Sequence, residues 1–372
     1  MTRGAILVFL LAALAVGPAR AAALKVVSEA TPPQYGVTRL IVHSERIGRD
    51  FRVIVSQPTA TVFLPGQKLP AIYALDGGSG IAGPQGQYLG NTWQMSAALV
   101  VSIDDDPAGE NHRLDDLAHA RWRPQDGSLP EMGGGGAAFE AFLLEDLRPF
   151  IEARYAADPQ RSVLVGHSLG ALFAANVFAR RPDAFAGYVM ASVPVWAEPG
   201  VVPRVAAAAE RASGQRIYLS VAEFDDGVNG TGMQPGFQAM SAALERPGVT
   251  LRTRVYPGEN HSSYYPRMVL DSFPFVLPSV WVRTTPQWPL PPAERARYEG
   301  AYRMPDGREI VIKATQPFGR MTAQVAGGAV VSLVLNGHDR FYAPSSDLDV
   351  IFDATGAVLS SGATRVRIEK VR

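Results

Sequence analysis

The sequence predicts an α/β chain: a doubly wound, mostly parallel sheet covered by helices, followed by a small all-β domain. Three observations predict it. Short, nearly continuous apolar runs at 71–75, 97–103 and 162–165 fit strands buried on both faces. Segments of helical spacing alternate with such runs between residues 139 and 244, as a sheet covered on both faces requires. Beyond residue 292 helical spacing fades, and short β-branched runs separated by Gly-rich turns take over.

Taken in order, the chain begins with Arg3, an apolar run over 5–16, Gly17-Pro18 and then Ala19-Arg20-Ala21. That is the pattern of a secretory signal peptide over residues 1–21, with a core shorter than the roughly 20 residues needed to span a bilayer. A periplasmic or secreted protein with no stable membrane anchor after cleavage is expected. Runs at 37–43 and 51–56 read as a β pair, and 58–70, with three prolines, as a loop. The strand at 71–75 ends in Asp76-Gly77-Gly78-Ser79-Gly80, and the strand at 97–103 in Asp104-Asp105-Asp106. The stretch 107–136 is irregular and charged and closes on four glycines, which marks a functional or mobile loop.

Phe139, Phe142, Leu143, Leu147, Phe150 and Ile151 then recur at helical spacing, with Pro149 expected to kink the helix. Strands follow at 162–165, 188–191, 217–221 and 251–256, with helices at 171–180, 202–212 and 233–244. Residues 22–283 thus form the α/β domain. The segment 284–292 holds four prolines and reads as a linker, and 293–372 reads as the small all-β domain.

Composition narrows the function classes. Of 372 residues 47% are hydrophobic and 19% charged, so a sizeable core is available. Lys+Arg and Asp+Glu both number 35, which lacks the basic footprint of a nucleic-acid binder. The absence of cysteine excludes disulfides, thiolate metal sites and cysteine nucleophiles. His112 and His119 beside Asp115 and Asp116 suggest metal ligands only superficially. With no second cluster they read as a solvated loop, and neither a metal nor a cofactor is expected.

The decisive segment is Gly166-His167-Ser168-Leu169-Gly170, with a strand before it and a helix after it. A serine nucleophile on a tight strand-to-helix turn needs glycines on either side, because side chains there collide. The helix start offers unpaired N–H groups and a positive dipole end, so the Leu169 N–H is a candidate oxyanion donor. The competing structural role is a serine that merely caps the helix.

A serine hydroxyl needs a base. Among six histidines His261 is the candidate, because it follows the last sheet strand and the α/β-hydrolase order is Ser, then acid, then His. The acid belongs at the end of the strand 217–221, where Glu223, Asp225 and Asp226 compete. Asp225 is favoured because about three residues of turn separate strand end from acid in this fold, with Glu223 the alternative and Asp226 third. The second oxyanion donor belongs to the glycine loop after 71–75, and Gly78 is the candidate.

These pieces together resemble the esterase family of α/β-hydrolases that includes esterase D, the Fes and IroE siderophore esterases and the antigen 85 mycolyltransferases. The resemblance rests on Ile72-Tyr73-Ala74-Leu75-Asp76-Gly77, the segment around Ser168, Pro182-Asp183-Ala184-Phe185, Ala191-Ser192-Val193-Pro194-Val195-Trp196, Val221-Ala222-Glu223-Phe224-Asp225 and Pro257-Gly258-Glu259-Asn260-His261. It spans roughly residues 28–283. Ala171 and Ala222 stand where many members carry glycine. The resemblance implies an α/β-hydrolase fold and a serine esterase with Ser168, His261 and Asp225 or Glu223 at work and Gly78 and Leu169 as oxyanion contacts. It implies a small-molecule or glycan ester substrate, siderophores and acylated sugars included. The tail Tyr298-Glu299-Gly300-Ala301-Tyr302, with Pro305-Asp306-Gly307 and Arg340-Phe341, resembles the small β-barrel appended to some serine hydrolases. An acyltransferase, or a non-catalytic periplasmic binding or scaffold protein on the same fold, are the competing readings.

Overall fold

The computed structural model describes residues 24–31, 36–58, 64–75, 80–92, 94–104, 109–123, 130–226, 232–279, 290–315, 319–328 and 330–371. Residues 1–21, the expected signal peptide, fall outside these, as does Gly78.

The sheet strands are β1 (Lys25–Ala30), β2 (Val37–Ser44), β3 (Arg49–Ser56), β4 (Leu69–Ala74) and β5 (Leu99–Asp104). After a two-stranded ribbon of β6 (Arg121–Trp122) and β7 (Met132–Gly133) come β8 (Ala157–His167), β9 (Gly187–Ala191), β10 (Gln215–Ala222) and β11 (Val249–Tyr256). The nine-stranded sheet has the order β1-β2-β3-β5-β4-β8-β9-β10-β11. Its first three strands and the β3–β5 junction are antiparallel, and from β5 to β11 every pair is parallel. β4 leads on to β5 on one side and lies against β8 on the other, so the chain changes direction there. In open α/β sheets ligands bind at such a point, beyond the carboxyl ends of the strands.

Alternation along the strands sorts the core into two layers. Tyr73, Val101, Leu164, Met190 and Leu219 face helices α3 (Gly136–Ala141), α4 (Arg148–Arg154), α5 (Leu169–Arg180) and α6 (Val201–Ala209). Ile72, Val100, Val163, Val189 and Tyr218 face α1 (Ala82–Asn91) and α8 (Tyr265–Val276) on the other side. Burial on both faces is why these strands read as continuous apolar runs.

Three elements differ from the expectation. β1 is an edge strand with little buried surface, so its sequence carries no alternation. α1 holds Gly83, Gly86 and Gly90 and is poor in helix formers. It packs so tightly on β5 that a Cβ on Gly86 would sit 2.6 Å from a Val100 methyl. Pro149 does not kink a regular helix. A π-helical turn, Phe142–Leu147, joins α3 to α4, and Pro149 lies at the start of α4.

The loop 107–136 is partly structured and carries α2 (Arg113–Asp116) as well as the ribbon. Asp115 Oδ1 accepts the Gly133 N–H at 2.9 Å, Asp116 pairs with Arg49, and His119 Nε2 lies 2.9 Å from Glu140 Oε2 with both side chains buried. His119 is therefore a packing residue stacked against Phe173, not a solvated loop histidine. His112 is the more exposed of the two and pairs with Glu110.

The C-terminal part is a closed eight-stranded antiparallel barrel. It consists of β12 (Gly300–Arg303), β13 (Glu309–Thr315), β14 (Arg320–Val325), β15 (Val330–Gly337), β16 (Arg340–Ala343), β17 (Leu348–Phe352), β18 (Gly356–Ser361) and β19 (Thr364–Val371). Closure pairs every edge. Of the expected linker, 284–289 lie outside the described residues. Leu290 is buried in the barrel core, and Pro292 opens the helix α9 (Pro292–Tyr298).

The barrel docks on one end of the large sheet. Leu64, just before β4, is buried in the barrel core. The buried Gln67 donates to the Ser346 carbonyl at 2.5 Å and to Ser361 Oγ at 3.1 Å. Arg161, in the first half of β8, pairs with the buried Asp347 and donates to the Lys68 carbonyl at 2.8 Å. Every one of these contacts lies toward the amino ends of the parallel strands. Six residues of strand separate Arg161 from Ser168, which at about 3.3 Å each puts the barrel contact roughly 20 Å from the carboxyl-end crevice.

Candidate active site

Ser168 joins β8 to α5 with φ +57° and ψ −126°, a conformation that costs a non-glycine residue on the order of 1–3 kcal/mol. The turn is pinned on both sides. The Ser168 N–H donates to the Ala191 carbonyl at 2.8 Å, and its carbonyl accepts from the N–H groups of Ala171 (2.9 Å) and Leu172 (3.1 Å). Gly166 makes the turn possible, because a Cβ there would lie 2.0 Å from the Gly170 carbonyl oxygen. Leu169 is the first residue of α5, where N–H groups lack intrahelical partners, and no acidic side chain occupies the first turn. The helix dipole there is open to an anion.

His261 follows β11 on a loop bound to itself. Asn260 Oδ1 accepts from the N–H groups of Ser262 and Ser263, both at 3.0 Å. The Ser263 hydroxyl donates to Glu259, which also pairs with Arg267 at 2.7 Å. The His261 ring lies 4.5 Å, centroid to centroid, from that of His167, the residue immediately before Ser168. His167 Nε2–H donates to the His261 carbonyl at 2.7 Å, so the turn before Ser168 holds the backbone of the His261 loop directly. Burial, aided by the neighbouring His261, pushes the His167 imidazole down to about 3 and keeps it neutral.

The structure distinguishes the three carboxylates that follow β10. Asp225 is 3% exposed, and its Oδ1 lies 2.6 Å from His261 Nδ1. Its Oδ2 accepts the Ala222 N–H at 3.1 Å and the Ser192 hydroxyl. Burial opposes its ionisation, but the hydrogen bonds from His261, Ser192 and Ala222 outweigh it and hold the carboxyl below the usual range. Glu223 instead accepts the Gly258 N–H at 2.7 Å, while its own N–H donates to the Tyr256 carbonyl. It straps the loop after β10 to the one after β11. Asp226 accepts the N–H groups of Met233 and Gln234, capping α7 (Met233–Leu244).

Three neighbours had no role in the sequence reading. Ser192 and Tyr264 stand behind Asp225 and His167 stands beneath His261, and each earns its place through a contact distant in sequence. Ser192 lies in a segment quoted for the family resemblance, which is the one signal that marks it. Trp122 on the ribbon and Trp196 beyond β9 meet edge to face at 5.4 Å, with Trp196 37% exposed.

Comparison with known proteins identifies the family and the fold. The family model described as "Putative esterase" matches residues 44–273, more than half the chain. The ferri-bacillibactin esterase BesA of Bacillus subtilis is 27% identical over 262 residues, covering 64% of this chain and 88% of BesA. Among solved structures, the BES protein of Bacillus cereus superposes with a TM-score of 0.59 at 21% identity, over 68% of this chain and 99% of that one. An IroE-like serine hydrolase of Shewanella oneidensis gives 0.55 at 19% identity, over 64% of this chain and 79% of that one. These structures share the α/β fold, and the family match ends before the barrel begins. The chain belongs to the esterase family that this model describes.

Proposed function

We propose that this chain is a serine esterase that cleaves siderophore-type esters through an acyl-enzyme, with Ser168 as nucleophile, His261 as base and Asp225 as the orienting acid. The observation that carries it is the 2.6 Å contact between His261 Nδ1 and the buried Asp225, made beside the strained turn that presents Ser168. An ionised carboxylate on Nδ1 fixes the tautomer whose Nε2 is free to accept a proton.

Ser168 Oγ attacks the ester carbonyl as His261 Nε2 takes its proton. The oxyanion is met by the Leu169 N–H and, on the sequence reading, by that of Gly78. The tetrahedral adduct collapses, the ester C–O bond breaks, and the leaving alkoxide takes the proton from Nε2. Water, deprotonated by the same nitrogen, then attacks the acyl-enzyme and frees the acid and Ser168. The siderophore class is supported by the relation to a ferri-bacillibactin esterase. Export to the periplasm or beyond rests on residues 1–21. Among the described residues no helix is long and apolar enough to cross a membrane.

The test is fluorophosphonate labelling of the mature protein beside Ser168→Ala and His261→Ala, with turnover of p-nitrophenyl esters and of ferri-bacillibactin. Labelling and turnover that vanish in Ser168→Ala are expected. A folded wild type that neither labels nor turns over would put a non-catalytic binding role first.

A further inference from the structure

Ser192 sits at the carboxyl end of β9 with φ +54°, 1% exposed, its N–H donated to the Ser220 carbonyl at 2.8 Å. This left-handed conformation is free for glycine and strained for serine. If the turn alone mattered, glycine would be the easier residue there. What serine adds is a hydroxyl, and that hydroxyl has two partners: Asp225 Oδ2 and, at 2.5 Å, the Tyr264 hydroxyl.

A count of protons orients the chain. Ionised Asp225 only accepts, so Ser192 donates its single proton to Oδ2. The Ser192 oxygen then accepts from Tyr264, whose phenol stays protonated because burial pushes it up. The line runs from Tyr264 at the start of α8, through Ser192 after β9, to Asp225 after β10, and ends on His261. A carboxylate torsion is broad and roughly two-fold, so without the Ser192 hydroxyl the carboxylate would be held on the Oδ2 side by the Ala222 N–H at 3.1 Å and could turn away from His261 more readily.

We propose that Ser192, fed by Tyr264, is a positioning residue that clamps Asp225 so that Oδ1 stays on His261 Nδ1 through the reaction. The proposal rests on the assignment of Ser168, His261 and Asp225 given above.

The experiment compares full-length wild type with Ser192→Gly, Ser192→Ala, Tyr264→Phe, Asp225→Asn and Ser168→Ala. Each is measured for kcat and KM on one p-nitrophenyl ester, for melting temperature and for the fraction of protein that fluorophosphonate titrates. Ser192→Gly relieves the backbone strain but removes the partner that the buried Tyr264 hydroxyl and Asp225 meet, so the two effects oppose and its melting temperature is expected within a few degrees of wild type. Its kcat per titrated site should fall about tenfold or more with KM unchanged. Tyr264→Phe should lower kcat less. A purely structural serine predicts a lower melting temperature and normal kcat per titrated site. That result, or wild-type kcat in Ser192→Gly while Asp225→Asn is crippled, overturns this proposal and leaves the triad standing. Absence of any Ser168-dependent turnover in wild type removes the triad and this proposal with it.

Discussion

Replacing Asp225 with asparagine keeps shape and volume but exchanges one acceptor for a donor, and the structure fixes which way the amide must turn. Oδ2 of Asp225 accepts the Ala222 N–H at 3.1 Å, and a backbone donor cannot be inverted. The asparagine oxygen therefore takes that side, and its NH₂ faces His261 Nδ1. The imidazole must then carry its proton on Nε2, where it cannot accept one from Ser168. The opposite orientation sets NH₂ against the Ala222 N–H at a residue 3% exposed, and leaving a buried donor unpaired costs about 1–3 kcal/mol. A second loss adds to this. The imidazolium formed during attack loses a negative charge in contact with it, worth roughly 3–4 kcal/mol at an effective dielectric near 20. Together these give about 5 kcal/mol, or about 10⁴-fold in kcat, a size typical of neutralising a triad acid. The assay is p-nitrophenyl ester turnover at pH 8, with a melt to show that the fold persists. An Asn variant within tenfold of wild type would refute the reasoning, and so would an equal loss in Glu223→Gln.

The barrel and His167 supply two further tests. Removing residues 293–372 exposes Leu64 and strips Arg161 of Asp347, costing on the order of 2–4 kcal/mol and roughly 5–15 °C in melting temperature. Because those contacts lie at the far end of the sheet, kcat at 25 °C should stay within about twofold of the full chain; calorimetry and ester turnover check this, and a folded truncation that no longer labels would contradict it. His167 is held neutral at about 3 in the fold against about 6.5 when unfolded, so its contribution to stability is full above pH 6.5 and is lost as pH falls toward 3. Between pH 7 and pH 5 that amounts to about 2 kcal/mol. Urea melts of His167→Gln, which keeps a donor but does not titrate, should show a pH dependence smaller than wild type by that amount, and identical slopes would remove His167 as the source.

What was legible in the sequence is what short-range physics writes there. The parallel strands at 71–75, 97–103 and 162–165 announce themselves because burial on both faces permits few polar residues. The turn at Ser168 does so because the Gly170 carbonyl leaves no room for a Cβ at 166. The chain order of Ser168, Asp225 and His261 follows from the order of β8, β10 and β11 in the sheet. Less was legible wherever a residue's partner lies far along the chain. His119 is polar, and only Glu140, 21 residues on, makes its burial acceptable. α1 is glycine-rich because β5 sits against it, a tertiary demand that overrides helix propensity.

The choice among Glu223, Asp225 and Asp226 illustrates the same limit. All three follow one strand end and lie within three residues of one another, and spacing alone ranks them weakly. What separates them is the donor each one meets. Glu223 finds a backbone N–H on the next loop, Asp226 finds the open end of a helix, and Asp225 finds three donors in a buried pocket. A carboxylate 3% exposed and ringed by donors is held ionised and in one orientation. The two more exposed carboxylates brace the loops that make that pocket. Moving the acid to either neighbouring position would therefore fail twice, once by leaving His261 without its partner and once by cutting a brace on which the pocket depends.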